Sequence, residues 1–223
     1  MRFSRLFPAL ILALVGPGIA TAGGWPREKG AFFASTSVEL ARSGNSAEMA
    51  RAGLFAEYGL GRGFTLGLDV GRGAGDADAL VSLRKQLVDT RFGTFSLGIG
   101  AGTRKDAWGT TRVMRPEISW GKGFDTRFGQ AWFGLDAARE TRSVAPGTAH
   151  KLDATLGLKP RDGLMLILQA QAADYPGSDP TMRLQASTVW EFGDTGRKLE
   201  IAPLIGVRGD VEHGLKIGLW TEF

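Results

Sequence analysis

The last thirteen residues of the chain alternate between two kinds of side chain. One register is mostly apolar and carries Val211, His213, Leu215, Ile217, Leu219, Thr221 and Phe223. The other carries Glu212, Gly214, Lys216, Gly218, Trp220 and Glu222. Successive side chains of a strand point to opposite faces, so this period of two predicts a strand with a different solvent on each face. A tilted strand of about ten residues is long enough to cross the hydrocarbon of a bilayer.

The same alternation continues through almost the whole chain before this strand. We predict twelve strands, near residues 31–41, 49–60, 64–72, 79–87, 92–103, 110–121, 128–140, 149–158, 164–173, 182–192, 199–208 and 211–223. An even number of antiparallel strands places both termini on the same side, as in bacterial single-chain barrels.

The connections between these strands alternate in length. The mostly tight set, rich in turn residues, covers 61–63, 88–91, 121–127, 159–163 and 193–197. The other set covers 42–48, 73–78, 104–109, 141–148 and 174–181, and most of its members are longer. Membrane barrels have short periplasmic turns and longer outer loops, so we expect the short set on the periplasmic side.

The two faces of each strand differ in composition. Leu66, Leu68 and Val70 share one face of their strand, while Gly67 and Asp69 share the other. A soluble lipocalin-like or avidin-like barrel would alternate in the same way, with the apolar set inside. The glycine-rich polar face suits a crowded interior better than a solvent surface. Aromatic residues also fall near strand ends in the apolar register, as in interfacial girdles: Tyr58, Phe64, Trp120, Trp190, Phe192 and Phe223.

These patterns predict an all-β protein, a closed antiparallel up-and-down transmembrane β-barrel of about twelve strands. The final amphipathic strand, which ends on an aromatic residue, resembles the C-terminal signature of bacterial outer-membrane β-barrel proteins. The resemblance implies that Trp220 and Phe223 act as an assembly signal, with the barrel-assembly machinery as a partner during biogenesis. It also implies contact with outer-membrane lipids.

The first 22 residues have the composition of a secretory signal peptide. Arg2 and Arg5 precede an apolar run that ends near Ile19, and Ala20-Thr21-Ala22 provides a small-x-small cleavage site. The run is too short for a retained membrane anchor. We therefore predict a signal peptide at residues 1–22, one barrel domain at residues 23–223, and location in the cell outer membrane after export.

Charge and cysteine content remove several functional classes. Without Arg2 and Arg5, the chain has 25 Lys and Arg against 23 Asp and Glu, so the formal charge falls from +4 to +2. No basic cluster predicts a nucleic-acid partner. There is no cysteine, and therefore no disulfide or thiolate metal site. We expect no cofactor and no metal.

The polar register supplies charged residues of both signs to the predicted lumen. They are Arg51, Glu57, Asp69, Arg84, Arg115, Glu117, Asp136, Lys151, Asp153, Arg183, Glu191, Glu200, Arg208, Lys216 and Glu222. One interpretation is a salt-bridge network that replaces a hydrophobic core. The other is a narrow pore whose charged wall sorts small polar solutes. The inward side chains of Phe33, Phe55 and Trp132 would narrow either lumen.

A lipid-modifying enzyme is the alternative function. Outer-membrane phospholipases and deacylases place a histidine two residues before a serine on one strand face. Here His150 is followed by Leu152 and His213 by Leu215, so the motif is missing. We therefore expect no catalytic residues, and we predict a structural barrel or a small passive channel for small polar solutes. A soluble periplasmic lipocalin-like binding barrel stays open as a further alternative.

Overall fold

The computed structural model describes residues 24–43, 49–106, 109–143, 147–193, 195–209 and 212–223. The proposed signal peptide at residues 1–22 lies outside this part. Twelve strands follow one another: β1 (Phe32–Ser43), β2 (Met49–Gly61), β3 (Phe64–Gly73), β4 (Ala77–Thr90), β5 (Gly93–Asp106), β6 (Gly109–Thr126), β7 (Gly129–Arg142), β8 (Thr148–Arg161), β9 (Leu164–Asp174), β10 (Thr181–Glu191), β11 (Arg197–Arg208) and β12 (Glu212–Glu222). Among the described residues, no helix is long and apolar enough to cross a membrane.

The strands form one closed barrel. Each strand pairs antiparallel with its neighbours in sequence, and β1 pairs with β12. At the seam, the amide of Phe32 donates to the carbonyl of Phe223 at 2.7 Å, and the amide of Phe223 donates back at 3.0 Å. Their rings lie 4.9 Å apart. The predicted number of strands and the closed up-and-down topology are confirmed.

The apolar rows face outward, and the polar rows face the lumen. In β3, Thr65 is 2% exposed whereas Leu66 is 41% exposed. Leu97, Ile99, Leu168 and Ile217 are likewise exposed although they are large and apolar. Such a surface is unfavourable in water and favourable against lipid. The predicted transmembrane barrel is therefore confirmed, and the soluble lipocalin-like alternative is wrong because its apolar rows would lie inside.

One kind of turn occurs twice with the same four-residue sequence. Residues 90–93 and 126–129 both read Thr-Arg-Phe-Gly. In the first turn, the hydroxyl of Thr90 accepts from the amide of Phe92 and donates to the carbonyl of Gly93, both at 3.1 Å. The glycine has a φ of 125°, which favours glycine because it lacks a Cβ. These turns lie at the same end as both termini, which we call the periplasmic end in keeping with the predicted export; the opposite end is the outer end.

Several strands are longer than predicted. The apolar alternation placed the fourth strand at residues 79–87 and the sixth at 110–121, whereas β4 runs from Ala77 to Thr90 and β6 from Gly109 to Thr126. Backbone hydrogen bonds continue into the polar ends of these hairpins. A ladder of amides and carbonyls needs no apolar side chains, so hydrophobic alternation alone underestimates strand length.

Candidate functional site: a charged lumen

The lumen contains two adjoining cavities. An outer vestibule of about 650 Å³ is lined by residues near the outer loops, including Tyr175, Arg183 and Arg208. An inner cavity of about 400 Å³ extends towards the periplasmic end, as far as Arg27 and Phe33. The two share part of their walls: Asp69, Arg115, Lys151, Asp153 and Gln171. The same charged side chains therefore border both cavities.

Most of the charged residues predicted to line the lumen lie on the walls of these cavities. The inner cavity has Glu57, Asp69, Arg84, Arg115, Glu117, Asp136, Lys151, Asp153, Glu200 and Lys216 on its wall, and the vestibule adds Arg183 and Arg208. Arg51 instead forms ion pairs with Asp76 and Asp78 at the outer end. Glu191 is half-buried at the periplasmic end of β10, and Glu222 forms ion pairs with Arg27 and Lys198. Their part in conduction stays a prediction.

Ion pairs join charged side chains along the wall of the inner cavity. The guanidinium of Arg84 lies 3.0 Å from Glu57 and 3.7 Å from Glu117. Arg115 lies 3.7 Å from both Glu117 and Asp69. Each cation thus lies between two carboxylates, which β2 and β6 provide for Arg84 and β3 and β6 provide for Arg115. Ionised groups that leave water need such partners, and these pairs occupy space that an apolar core fills in a soluble protein.

A second ionic cluster surrounds Glu140, which is fully buried near the outer end. Its carboxylate lies 3.2 Å from Lys151, 3.3 Å from Arg104 and 3.4 Å from Arg142. Glu140 shares its register with Asp136, so strand periodicity could have identified it, but it was missing from the predicted set. Arg142 also lies 2.9 Å from Asp106, so three cations and two carboxylates meet at the outer end of the lumen.

Glu200 organises the wall on the opposite side of the barrel. Its carboxylate accepts hydrogen bonds from the hydroxyl of Ser187 at 2.6 Å and from the amide of Gln185 at 3.1 Å. The indole of Trp220 donates to the same carboxylate at 3.1 Å, and Lys216 lies 3.3 Å away. Trp220, predicted as part of the assembly signal, therefore has its ring in the lumen, whereas Phe223 is exposed at the seam. That assembly role stays a prediction.

The balance of charge differs between the two cavities. The vestibule wall carries four cations, Arg115, Lys151, Arg183 and Arg208, against two carboxylates, Asp69 and Asp153. Two more carboxylates pair with these cations from outside the cavity wall: Glu39 lies 3.1 Å from Arg183, and Glu140 lies 3.2 Å from Lys151. The wall itself therefore keeps an excess of cations. The wall of the inner cavity carries five cations and six carboxylates. The cations are Arg115 and Lys151, which also line the vestibule, and Arg27, Arg84 and Lys216. Cations and carboxylates are mixed along the sequence, so the excess of cations on the vestibule wall could be recognised only in the folded barrel.

Residues 24–30, which we call the N-terminal segment, cross the periplasmic end of the lumen. The carbonyl of Gly24 accepts a hydrogen bond from the hydroxyl of Ser96 on β5. Trp25 packs against a buried cluster on β7, β9 and β10, formed by Trp132, Met165, Ile167 and Val189. The sequence predicted no strand before residue 31, and the position of this stretch was missed because nothing local to it indicates a partner inside a barrel.

Arg27 attaches the other part of the N-terminal segment to the barrel wall. Its amide donates to the hydroxyl of Thr65 at 2.9 Å, and its guanidinium donates to Glu57 at 2.9 Å and to Glu222 at 3.4 Å. The guanidinium also lies 4.6 Å from the centre of the Phe33 ring. These contacts reach β1, β2, β3 and β12, so together with Trp25 the segment spans the bore.

Two glycines on the lumen face make room for the N-terminal segment. A Cβ at Gly59 would lie 1.7 Å from the carbonyl oxygen of Glu28, and a Cβ at Gly121 would lie 2.4 Å from the ring of Trp25. Both distances are far below van der Waals contact, so any other residue would displace the segment. These glycines provide the close approach that the segment requires.

The structure gives the enzyme alternative no assembled site. His150 and His213 both lie on the outward face, and each is followed two residues later by an exposed leucine, Leu152 or Leu215. Within the described ranges, no group of three histidine, aspartate or glutamate side chains could hold a metal ion. The histidine-to-serine relay of outer-membrane lipases therefore has no counterpart on either strand.

An apolar exterior, a closed ring of twelve strands and a charged lumen define a transmembrane β-barrel. No family model matches the sequence, and no curated protein matches it. Among solved structures, the chain is similar to the KdgM porin in complex with disordered oligogalacturonate, with a TM-score of 0.61 and 12% identity over 86% of this chain and 99% of that one. It is also similar to the NanC porin, with a TM-score of 0.59 and 13% identity over 84% and 100%. These similarities show the fold.

Proposed function

We propose that this protein is a passive outer-membrane channel for small polar solutes, closed at rest by its N-terminal segment. The observation that carries the proposal is the shared wall of the two cavities, with Asp69, Arg115 and Lys151 facing both. A polar path enters the barrel from the outside and ends where Trp25 and Arg27 cross the bore. Opening requires only that the segment leave, while the barrel wall stays in place.

The excess of cations in the vestibule favours anionic solutes. Its four cations exceed its two carboxylates, and charges inside a low-dielectric wall act on a solute more strongly than they would in bulk water. The KdgM porin, which has the same fold, was solved in complex with oligogalacturonate, an acidic oligosaccharide. This channel would accordingly prefer small anions over small cations of similar size.

Planar-bilayer recording of the purified protein tests the channel. We expect low conductance from the native protein and several-fold higher conductance from a W25A/R27A variant, because both anchors of the N-terminal segment are lost. E28A is the matched control: its side chain is exposed in the same segment, and only its backbone contacts the wall. In a potassium chloride gradient, the reversal potential of the open variant should indicate preference for chloride.

A purely structural barrel is the alternative function, and the ion-pair network on the lumen wall favours it. The same recordings separate the two. If W25A/R27A is folded, as judged by heat-modifiable migration on a gel, and conducts no better than the native protein, the channel proposal is wrong and the structural role gains support.

Export and assembly form part of the proposed biogenesis. The signal peptide at residues 1–22 would direct the chain to the periplasm, and Trp220 with Phe223 would be recognised by the barrel-assembly machinery before insertion among outer-membrane lipids. Deleting Phe223 should reduce the amount of heat-modifiable protein in the outer-membrane fraction. An unchanged amount would show that the terminal aromatic residue is dispensable for assembly.

A further inference from the structure

The outward face of the barrel carries a row of cations near its outer end. Five exposed side chains form this row, which we call the outer cationic band: Arg42, Arg72, Lys105, Arg112 and Arg139. Within the described part of the chain, none of the five forms an ion pair, whereas Arg84, Arg115 and Arg142 on the lumen face all do. On the outward face of the barrel, the band therefore exposes five positive charges without ion-pair partners among the described residues.

Both histidines of the chain lie opposite an arginine of this band. Arg42 is paired across the strands with His213, and Arg139 is paired with His150. Directly opposed side chains on one face have Cβ atoms about 4.5–5.5 Å apart, which is close enough for two donors to share one anion. The nearest carboxylate to the second pair is that of Asp174 on β9, which is paired directly with His150. His150 on β8 therefore lies between Asp174 and Arg139.

The two pairs mark the place where the apolar rows end. Leu40 and Leu215 lie next to the first pair on the periplasmic side, and Ala137 and Leu152 lie next to the second. Rows of leucine and valine lie in the hydrocarbon of a bilayer, so the cations that follow them reach the headgroups of the outer leaflet. Cations at that depth attract anionic headgroups.

A groove on the outer wall leads away from Arg139 and His150. It has a volume of about 470 Å³, and its apolar part is formed by Leu97, Pro116, Ile118 and Ala137. Proline has no amide hydrogen, and the pairing of β6 with β7 is interrupted between Met114 and Glu117, where Pro116 lies. The interruption leaves an apolar depression directly beside a cationic pair, on a surface that faces lipid.

We propose that this groove binds a phosphate-bearing lipid of the outer leaflet. The phosphate is held between the guanidinium of Arg139 and the imidazole of His150, and an acyl chain lies along Leu97, Ile118 and Ala137. The groove opens on the outer wall, and Glu117, Ala137, Ala138 and Lys151 line both it and the inner cavity. The proposal assigns a role to both histidines that neither catalysis nor conduction uses. The Arg42–His213 pair provides a second electrostatic contact elsewhere on the circumference of the barrel.

The test uses the full-length protein in phosphatidylcholine nanodiscs that contain either diphosphorylated lipid A or its dephosphorylated form. Lipid retained after detergent extraction is measured by native mass spectrometry. We expect the native protein to retain the phosphorylated form selectively, and R139Q to bind it about fivefold more weakly, since one cation near the membrane surface contributes about 1 kcal/mol. K122Q is the control, because Lys122 lies in the outward register at the periplasmic end.

Three results would overturn the proposal: equal retention of the two lipid forms by the native protein, unchanged binding by R139Q, or an equal loss in K122Q. A fourth result would also overturn the proposal: inorganic phosphate at millimolar concentration displaces the lipid and binds with the same affinity as the lipid. That result would show a site for phosphate rather than for lipid. If R139Q does not give a heat-modifiable barrel, H150Q is measured in its place. The imidazole is the other half of the pair, so H150Q must weaken binding as well.

Discussion

The two ends of the lumen are lined by different kinds of side chain. At the outer end, Arg115, Lys151 and Arg183 line an accessible vestibule, and charged side chains face water. At the periplasmic end, Trp25 packs against Trp132 and other apolar residues, and the N-terminal segment fills the bore. A single barrel thus combines a polar entrance with a closure that resembles the core of a soluble protein. The closure is formed by residues 24–30, which precede the first strand, so it can be altered without altering the strands.

The largest effect is expected from removing the space that the N-terminal segment needs. In G121V, the new side chain would overlap the ring of Trp25, so we expect the segment to be displaced and the conductance to rise several-fold. G75A is the control, because a Cβ at Gly75 meets nothing within 4 Å. Single-channel conductance is the measurement. Unchanged conductance in folded G121V would show that the bore is blocked elsewhere.

The next effect concerns the ionic cluster at the outer end. E140Q removes the buried negative charge that Lys151, Arg104 and Arg142 share. It should destabilise the barrel by about 3 kcal/mol because Lys151 and Arg104 lose this carboxylate, whereas Arg142 keeps Asp106 at 2.9 Å. The free energy of unfolding in urea is the measurement. D162N is the control, since Asp162 is fully exposed and lies 3.9 Å from Lys159. A loss no larger than that of D162N would show that water already screens the cluster.

The smallest effect is expected from the vestibule. R183Q/R208Q leaves two cations against two carboxylates there, so the preference for anions should fall while the conductance changes little. The reversal potential is measured in the W25A/R27A background, where the channel is open. R62Q serves as the control, because Arg62 lies in the turn between β2 and β3 at the periplasmic end. An unchanged reversal potential would place ion selection deeper, in the inner cavity.

Strand number, face assignment and most lumen positions could be predicted from the sequence, because each depends on local alternation. The register of Leu66 and Leu68 against Asp69, for example, requires only that neighbouring side chains point in opposite directions. The ends of β4 and β6 could not be predicted in this way, because polar residues extend a backbone ladder as readily as apolar ones.

The sequence by itself determined a closed barrel with an apolar exterior and charged residues inside. The tertiary structure decided which charges meet, how the lumen divides into a vestibule and an inner cavity, and that residues 24–30 cross the bore. The contact of Arg27 with Glu222 joins residues 195 positions apart in the chain. Such contacts depend on which distant segments the closed ring brings together, and a pattern that repeats every two residues contains no information about them.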